Sequence, residues 1–160
     1  MNSTKEQCML VPTDFSDYAT EAMHRAVRLA GLLEARIHVL YVMETAVMNY
    51  ASDIDGMPMP VAIEVDRSLL EMAQKRMETW LGSWADADVT HEIVQDPTPL
   101  ARVICQVAED KEVQLIVMGK HGHQSALEHL LIGSTTERVV RHASCSVLVA
   151  MPHGILGEAS

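Results

Sequence analysis

The chain has 160 residues, 48% of them hydrophobic but only 4% aromatic, and a formal net charge of -10. That length suits one domain whose core is filled by aliphatic side chains and eleven methionines, and the composition excludes a disordered chain. The acidic balance excludes a general binder of duplex DNA or anionic membranes, whose phosphates select lysine and arginine, and no apolar run approaches the roughly 20 residues of a membrane span.

Residues 8–13, CMLVPT, form a β-rich run stopped by Pro12, which has no N–H to extend a ladder. Ser16 follows as a helix N-cap. Behind it Ala19, Ala22, Met23, Ala26, Val27, Ala30 and Leu33 recur at helical spacing. RIHVLYVM (36–43) is the next strand. Gly56, Pro58 and Pro60 then break the pattern, which predicts a mobile loop over about 44–63. The following helix carries Leu69, Met72, Ala73, Met77 and Trp80 on or near one face. VTHEIV (89–94) alternates like a strand, PLARVICQVAEDK is helical, VQLIVMG is a buried-type strand, STTERVVRHA is helical, and CSVLVAM (145–151) is the last strand. The tail over about 152–160 is expected to fray.

Strands alternating with helices return to the same end of a sheet, which predicts one parallel α/β domain over 1–160. The opening MNSTKEQC has no signal-peptide core. Cys8, Cys105 and Cys145 are odd in number and lack a CxxC spacing. They read as small apolar fillers in a reducing cytoplasm.

Open α/β sheets bind ligands beyond the carboxyl ends of their strands, where the strand order reverses. Two strand ends carry unusual chemistry, VPTDFS after the first and VMGKHG after the fourth. If the order reverses between them, Thr13 and Asp14 face Gly119 and Gly122 across a crevice. Glycine permits positive φ and close approach of backbone to ligand, and successive N–H groups in such a loop form an anion-binding hollow. Gly133, Ser134 and Thr135 stand at a helix start, where N–H groups lack partners and the dipole favours negative charge. The hydroxyls of Ser134 and Thr135 add donors for phosphate, or cap the helix in the ordinary way. The Asp14 carboxylate suits ribose hydroxyls, or serves only as a helix-start residue. Neither GxxxxGK[ST] nor GxGxxG after the first strand is present.

LVPTDFSDYATEAMHRAVRLA, VLYV and LIVMGKHGHQSALEHLLIGSTTERVVRHASCSVLVA, in that order, resemble the universal stress protein family over roughly residues 7 to 151. The resemblance implies a five-stranded parallel sheet ordered 3-2-1-4-5 with helices on both faces, of the adenine nucleotide α-hydrolase-like, Rossmann-like class. Nucleotide-binding members carry G-x2-G-x9-G-[S/T] after the fourth strand, matched here by Gly119, Gly122, Gly133 and Ser134. By that likeness Gly119, His121, Gly122, Gly133, Ser134 and Thr135 surround phosphates, Pro12, Thr13, Asp14 and Val42 lie along adenine and ribose, and Met118 lines the cleft. The implied ligand is ATP, or AMP or ADP, with magnesium or manganese as an accompanying ion. The implied assembly is a homodimer paired through the last strand, with a signalling partner the sequence does not name. Two departures stand out: ten residues separate Gly122 from Gly133 in place of nine, and Gln95 replaces the glycine of the family's turn after the third strand. The first predicts a longer phosphate loop or an added bulge, the second a narrower cleft.

His121, His123, His129 and His142 gather in sequence near Cys145, but without convergent zinc spacing, so no metal site is expected. Met48, Met57 and Met59 fall in the predicted loop, where they cover the cleft or meet a partner, while the other methionines read as core. No catalytic triad, acid/base carboxylate pair or HExxH is present. The leading reading is a nucleotide-binding stress-response module. The alternatives are a slow ATPase, or a nucleotide-free protein acting only through its dimer surface.

Overall fold

The computed structural model describes residues 7–44, 67–122 and 132–151. In chain order these form β1 (Gln7–Pro12), α1 (Asp17–Leu33), β2 (Ala35–Glu44), α2 (Arg67–Leu81) with a 3-10 turn at Gly82–Trp84, β3 (Val89–Asp96), α3 (Leu100–Asp110), β4 (Leu115–Gly119), α4 (Ser134–His142) and β5 (Ser146–Ala150). The five strands pair in the order β3-β2-β1-β4-β5, and every pairing is parallel. The expected alternation and strand order are therefore observed, with element ends displaced by a residue or two. The predicted loop from residue 45 onward, the tail from 152, and His123, His129, Met48, Met57 and Met59 lie outside the described residues.

The sheet is buried on both faces, as the near-continuous apolar strands require. Leu10, Leu40, Val42, Ile116 and Met118 face one way and pack with Ala101, Ile104, Ala108 and Val139 of α3 and α4. Val11, Ile37, Val39 and Val117 face the other way, against Ala22, Met23 and Ala26 of α1 and Met77 of α2. Helix α1 starts where its N-cap dictates, Ser16 Oγ accepting from the Ala19 amide at 3.2 Å. It stops at Glu34, which turns left-handed (φ 52) and returns its N–H to the Ala30 carbonyl. Alanines at 19, 22 and 26 on its inner row let the helix approach the sheet closely.

The helical stripes are narrower than their periodicity predicts. Leu33 is 48% exposed at the end of α1, and Leu69 and Met72 of α2 are 50% and 66% exposed. Of α2 only Ala73 and Met77 are fully buried, with Trp80 and Leu81 packed at the margin of the same cluster. Cys8, Cys105 and Cys145 are half-buried and pack against the α3/α4 core cluster.

Candidate functional site

The sheet is continuous at one end and split at the other. β1 follows β2 as far as Pro12 opposite Leu40, and the Thr13 amide prolongs the pairing to the Leu40 carbonyl at 2.9 Å. β4 follows β5 to Gly119 opposite Ala150, and Lys120 prolongs that pairing to the Ala150 carbonyl at 3.1 Å. Between β1 and β4, however, register ends at Leu10 opposite Ile116. Beyond that pair the two halves part and leave a cleft of about 740 Å³, a size that suits a small organic ligand. Pro12, Thr13, Asp14, Val42, Met118, Gly119, His121, Gly122, Gly133, Ser134 and Thr135 all line it.

The lip after β1 is a chain of local side-chain bonds. Thr13 Oγ1 accepts from the Phe15 amide at 3.0 Å and Asp14 Oδ1 from the Ser16 amide at 3.0 Å. These bonds bend the backbone so sharply that Phe15 adopts φ 63, a conformation costly for a residue with a Cβ. Its ring is wedged against Tyr41 and Trp80, with centroids 4.7 Å and 5.8 Å away, and lies 4.7 Å beneath the Arg76 guanidinium. Asp14 thus braces the helix start and also lines the cleft wall.

The opposite lip needs its glycines for space. None of Gly119, Gly122 and Gly133 has a left-handed φ, so the expectation that positive φ explains them is corrected. A Cβ on Gly119 would lie 2.7 Å from Tyr18 Cβ and 2.9 Å from the Tyr18 carbonyl oxygen; one on Gly122 would lie 2.8 Å from Asp14 Oδ2; one on Gly133 would lie 3.2 Å from the Lys120 carbonyl oxygen. The Gly133 amide donates to that same carbonyl at 2.9 Å, tying the start of α4 to the end of β4. His121 is buried and meets the Tyr18 ring edge-on at 5.3 Å.

Gly133, rather than Ser134 or Thr135, is the N-cap of α4, and no side-chain cap is formed. The first backbone bond of the helix is Glu137 to Gly133, so the amides of Ser134, Thr135 and Thr136 have no acceptor within it. Ser134 and Thr135 stand beside these amides on the cleft wall. Thr136, which the sequence did not single out, donates its buried hydroxyl to the Gly119 carbonyl at 2.9 Å.

Other wall residues were also missed: Leu40, Tyr41, Leu100, Ala101 and Ile104 supply apolar surface, and Glu44 and Arg138 supply charge. Helical spacing offered a signal for Arg138, which follows Ser134 by four and Thr135 by three on one face. Gln95 does not narrow the cleft. It is exposed near the end of the edge strand β3, opposite Met43, and it is absent from the cleft wall. β2 stands between it and β1. The longer Gly122–Gly133 connection falls mostly outside the described residues. Among the described residues no group of three or more His, Cys, Asp or Glu gathers to hold a metal. His142 is exposed at the end of α4, and burial pushes the Cys105 and Cys145 thiols up from their ordinary pKa.

Comparison with known proteins gives a consistent picture. The model of the universal stress protein family matches residues 7–150. Universal stress protein MJ0531 of Methanocaldococcus jannaschii is 32% identical over 145 residues, which cover 88% of this chain and 79% of that protein. The solved structure of universal stress protein UspA from Lactobacillus plantarum superposes with a TM-score of 0.72 at 29% identity, covering 91% of this chain and 97% of that one. A universal stress protein from Archaeoglobus fulgidus, solved in complex with dAMP, shares the fold at a TM-score of 0.65 and 13% identity, over 91% and 98% of the two chains.

Proposed function

The chain belongs to the universal stress protein family, and we propose that it binds an adenine nucleotide, ATP or its relatives AMP and ADP, in the cleft between β1 and β4. One observation carries this reading: β1 and β4 part after Leu10 and Ile116, just where a glycine-lined lip and the first-turn amides of α4 face a carboxylate-bearing lip. That arrangement matches the two ends of a nucleotide. Phosphate suits the amides of Ser134, Thr135 and Thr136 together with the hydroxyls of Ser134 and Thr135. Ribose hydroxyls suit Asp14, and the adenine ring suits the apolar wall of Val42, Leu40 and Met118. The dAMP complex of the Archaeoglobus fulgidus fold neighbour supports this choice of ligand. Magnesium or manganese would arrive on the phosphates of the nucleotide, because no trio of ligating side chains is gathered among the described residues.

In this reading the protein is a stress-response signalling module whose conformation or assembly follows nucleotide occupancy. It works in the cytoplasm as a homodimer. β5 is one of the two edge strands of the sheet, and an apolar edge strand favours pairing with a second copy. Among the described residues no helix is long and apolar enough to cross a membrane.

Isothermal calorimetry of purified protein with ATP, ADP and AMP, beside mass spectrometry of whatever co-purifies, tests the reading. Saturable heat from at least one of the three is the expected result. No heat and no co-purifying adenine compound would overturn it and leave a member that acts through the β5 surface alone.

A further inference from the structure

We propose that Thr136 is a positioning residue for phosphate, whose buried hydroxyl aims the first-turn amides of α4 into the cleft; this rests on the adenine-nucleotide reading above. The Thr136 side chain is buried, and its Oγ1 donates to the Gly119 carbonyl at 2.9 Å. A threonine hydroxyl has one hydrogen to give. Engaged with the strand, it has none left for a phosphate oxygen, so any effect on phosphate runs through the helix.

Helix α4 needs such a bond. It has nine residues, its N-cap Gly133 offers no side chain, and only Thr136 and Val139 are buried along it. Val139 packs by apolar contact in the core cluster shared with α3, and such contact holds a helix down without fixing its direction. The Gly133 amide donates to the Lys120 carbonyl at 2.9 Å, which fixes one point and leaves a pivot. Thr136 adds the second point, roughly 4.5 Å further along the helix axis, on the neighbouring carbonyl. Two bonds to consecutive carbonyls set both where the helix starts and which way its first amides face. The strand end that receives them is itself held, by the Lys120 amide on the Ala150 carbonyl at 3.1 Å. Without the hydroxyl, the Gly119 carbonyl loses a buried hydrogen bond, and leaving such a group unmet costs enough for its surroundings to shift. The start of α4 is the part free to turn, while Pro12, Val42 and Met118 stay fixed on or beside their strands. Phosphate therefore loses its donors and the nucleoside keeps its wall.

Calorimetry with AMP and with adenosine on wild type, Thr136→Val and Thr136→Ser tests the inference, and circular dichroism with a thermal melt checks that each variant is folded at the working temperature. Thr136→Val keeps the shape and removes the hydroxyl, whereas Thr136→Ser keeps the hydroxyl. Thr136→Val should bind AMP at least about tenfold more weakly than wild type, the order of one hydrogen bond to a charged group. Adenosine should stay within about threefold of wild type in both variants, and so should AMP in Thr136→Ser. If Thr136→Val does not fold, Thr136→Ala carries the same expectations, since it sets no second methyl against the carbonyl. AMP affinity unmoved by loss of the hydroxyl, equal loss of AMP and adenosine, or Thr136→Ser as weak as the hydroxyl-free variant overturns this inference alone. Failure of wild type to bind either ligand overturns the adenine-nucleotide reading with it.

Discussion

Gly122 passes so close to Asp14 that a Cβ on it would lie 2.8 Å from Oδ2, and through this approach the two lips of the cleft meet. The obstacle is the end of a short side chain rather than backbone. In Gly122→Ala the carboxylate would swing aside, straining its bond from the Ser16 amide, while the fold is spared. We expect nucleotide affinity to fall by about tenfold, or about 1.4 kcal/mol, with a melting temperature close to wild type. Calorimetry and a thermal melt on the same sample check both halves. A large loss of stability with intact affinity would show that this glycine serves packing instead.

Gly119 predicts the opposite division. Its missing Cβ would meet Tyr18 Cβ at 2.7 Å and the Tyr18 carbonyl carbon and oxygen at 2.9 Å, and Tyr18 is fixed in the first turn of α1. Backbone cannot swing aside, so Gly119→Ala must shift α1 against β4. Overpacking of this kind costs about 1–3 kcal/mol, and a chain of this size loses roughly 2–4 °C of melting temperature per kcal/mol. Urea unfolding should show the midpoint falling. An unchanged midpoint would mean that α1 floats freely over the strand end.

The order of elements was legible because apolar runs such as LIVMG and the alanine row of α1 report burial directly. The position of the cleft was legible too, once glycine and acidic strand ends were read against a reversal of strand order. What each glycine does was not legible, since a sequence shows that a Cβ is missing but not which neighbour takes its space. Gly119 faces a helix backbone and Gly122 a carboxylate, yet the letters are the same. Thr136 escaped notice because the sequence does not show how α4 is turned against the end of β4, where the Thr136 hydroxyl meets the Gly119 carbonyl. Gln95 misled because its nearness to the cleft was judged from the strand end alone; it lies near the end of an edge strand with β2 between it and the split.

Phe15 allows backbone strain to be weighed against packing. Its φ of 63 costs a residue with a Cβ about 1–2 kcal/mol, and its ring contacts with Tyr41, Trp80 and Arg76 offset that cost. Phe15→Ala and Phe15→Gly both lose the ring, and both should be less stable than wild type. Only glycine also loses the strain, and this gain exceeds the about 0.5–1 kcal/mol of extra unfolded-state entropy that glycine carries. Phe15→Gly should therefore be more stable than Phe15→Ala by about 0.5–1 kcal/mol, measured by urea unfolding. The reverse order would show that the loop relaxes once the ring is gone.

At the other end of the sheet, His38 links stability to pH. Its Nδ1 lies 2.8 Å from Thr90 Oγ1. Nε2 lies 3.0 Å from Glu92 Oε1, which Lys111 also approaches at 3.5 Å. Burial holds the imidazole below its ordinary pKa of 6.5, and Lys111 and His91 push the same way; together they outweigh the opposing pull of Glu92. The neutral ring is thus the folded form, and the unfolded chain takes up the proton first as pH drops. His38 contributes stability above about pH 6.5 that is lost on acidification through the lower folded value. Wild type minus His38→Gln, followed by urea unfolding from pH 7.5 to 5, should therefore shrink as pH falls. A difference that grew instead would mean that the charged pair with Glu92 dominates and that the shift runs upward.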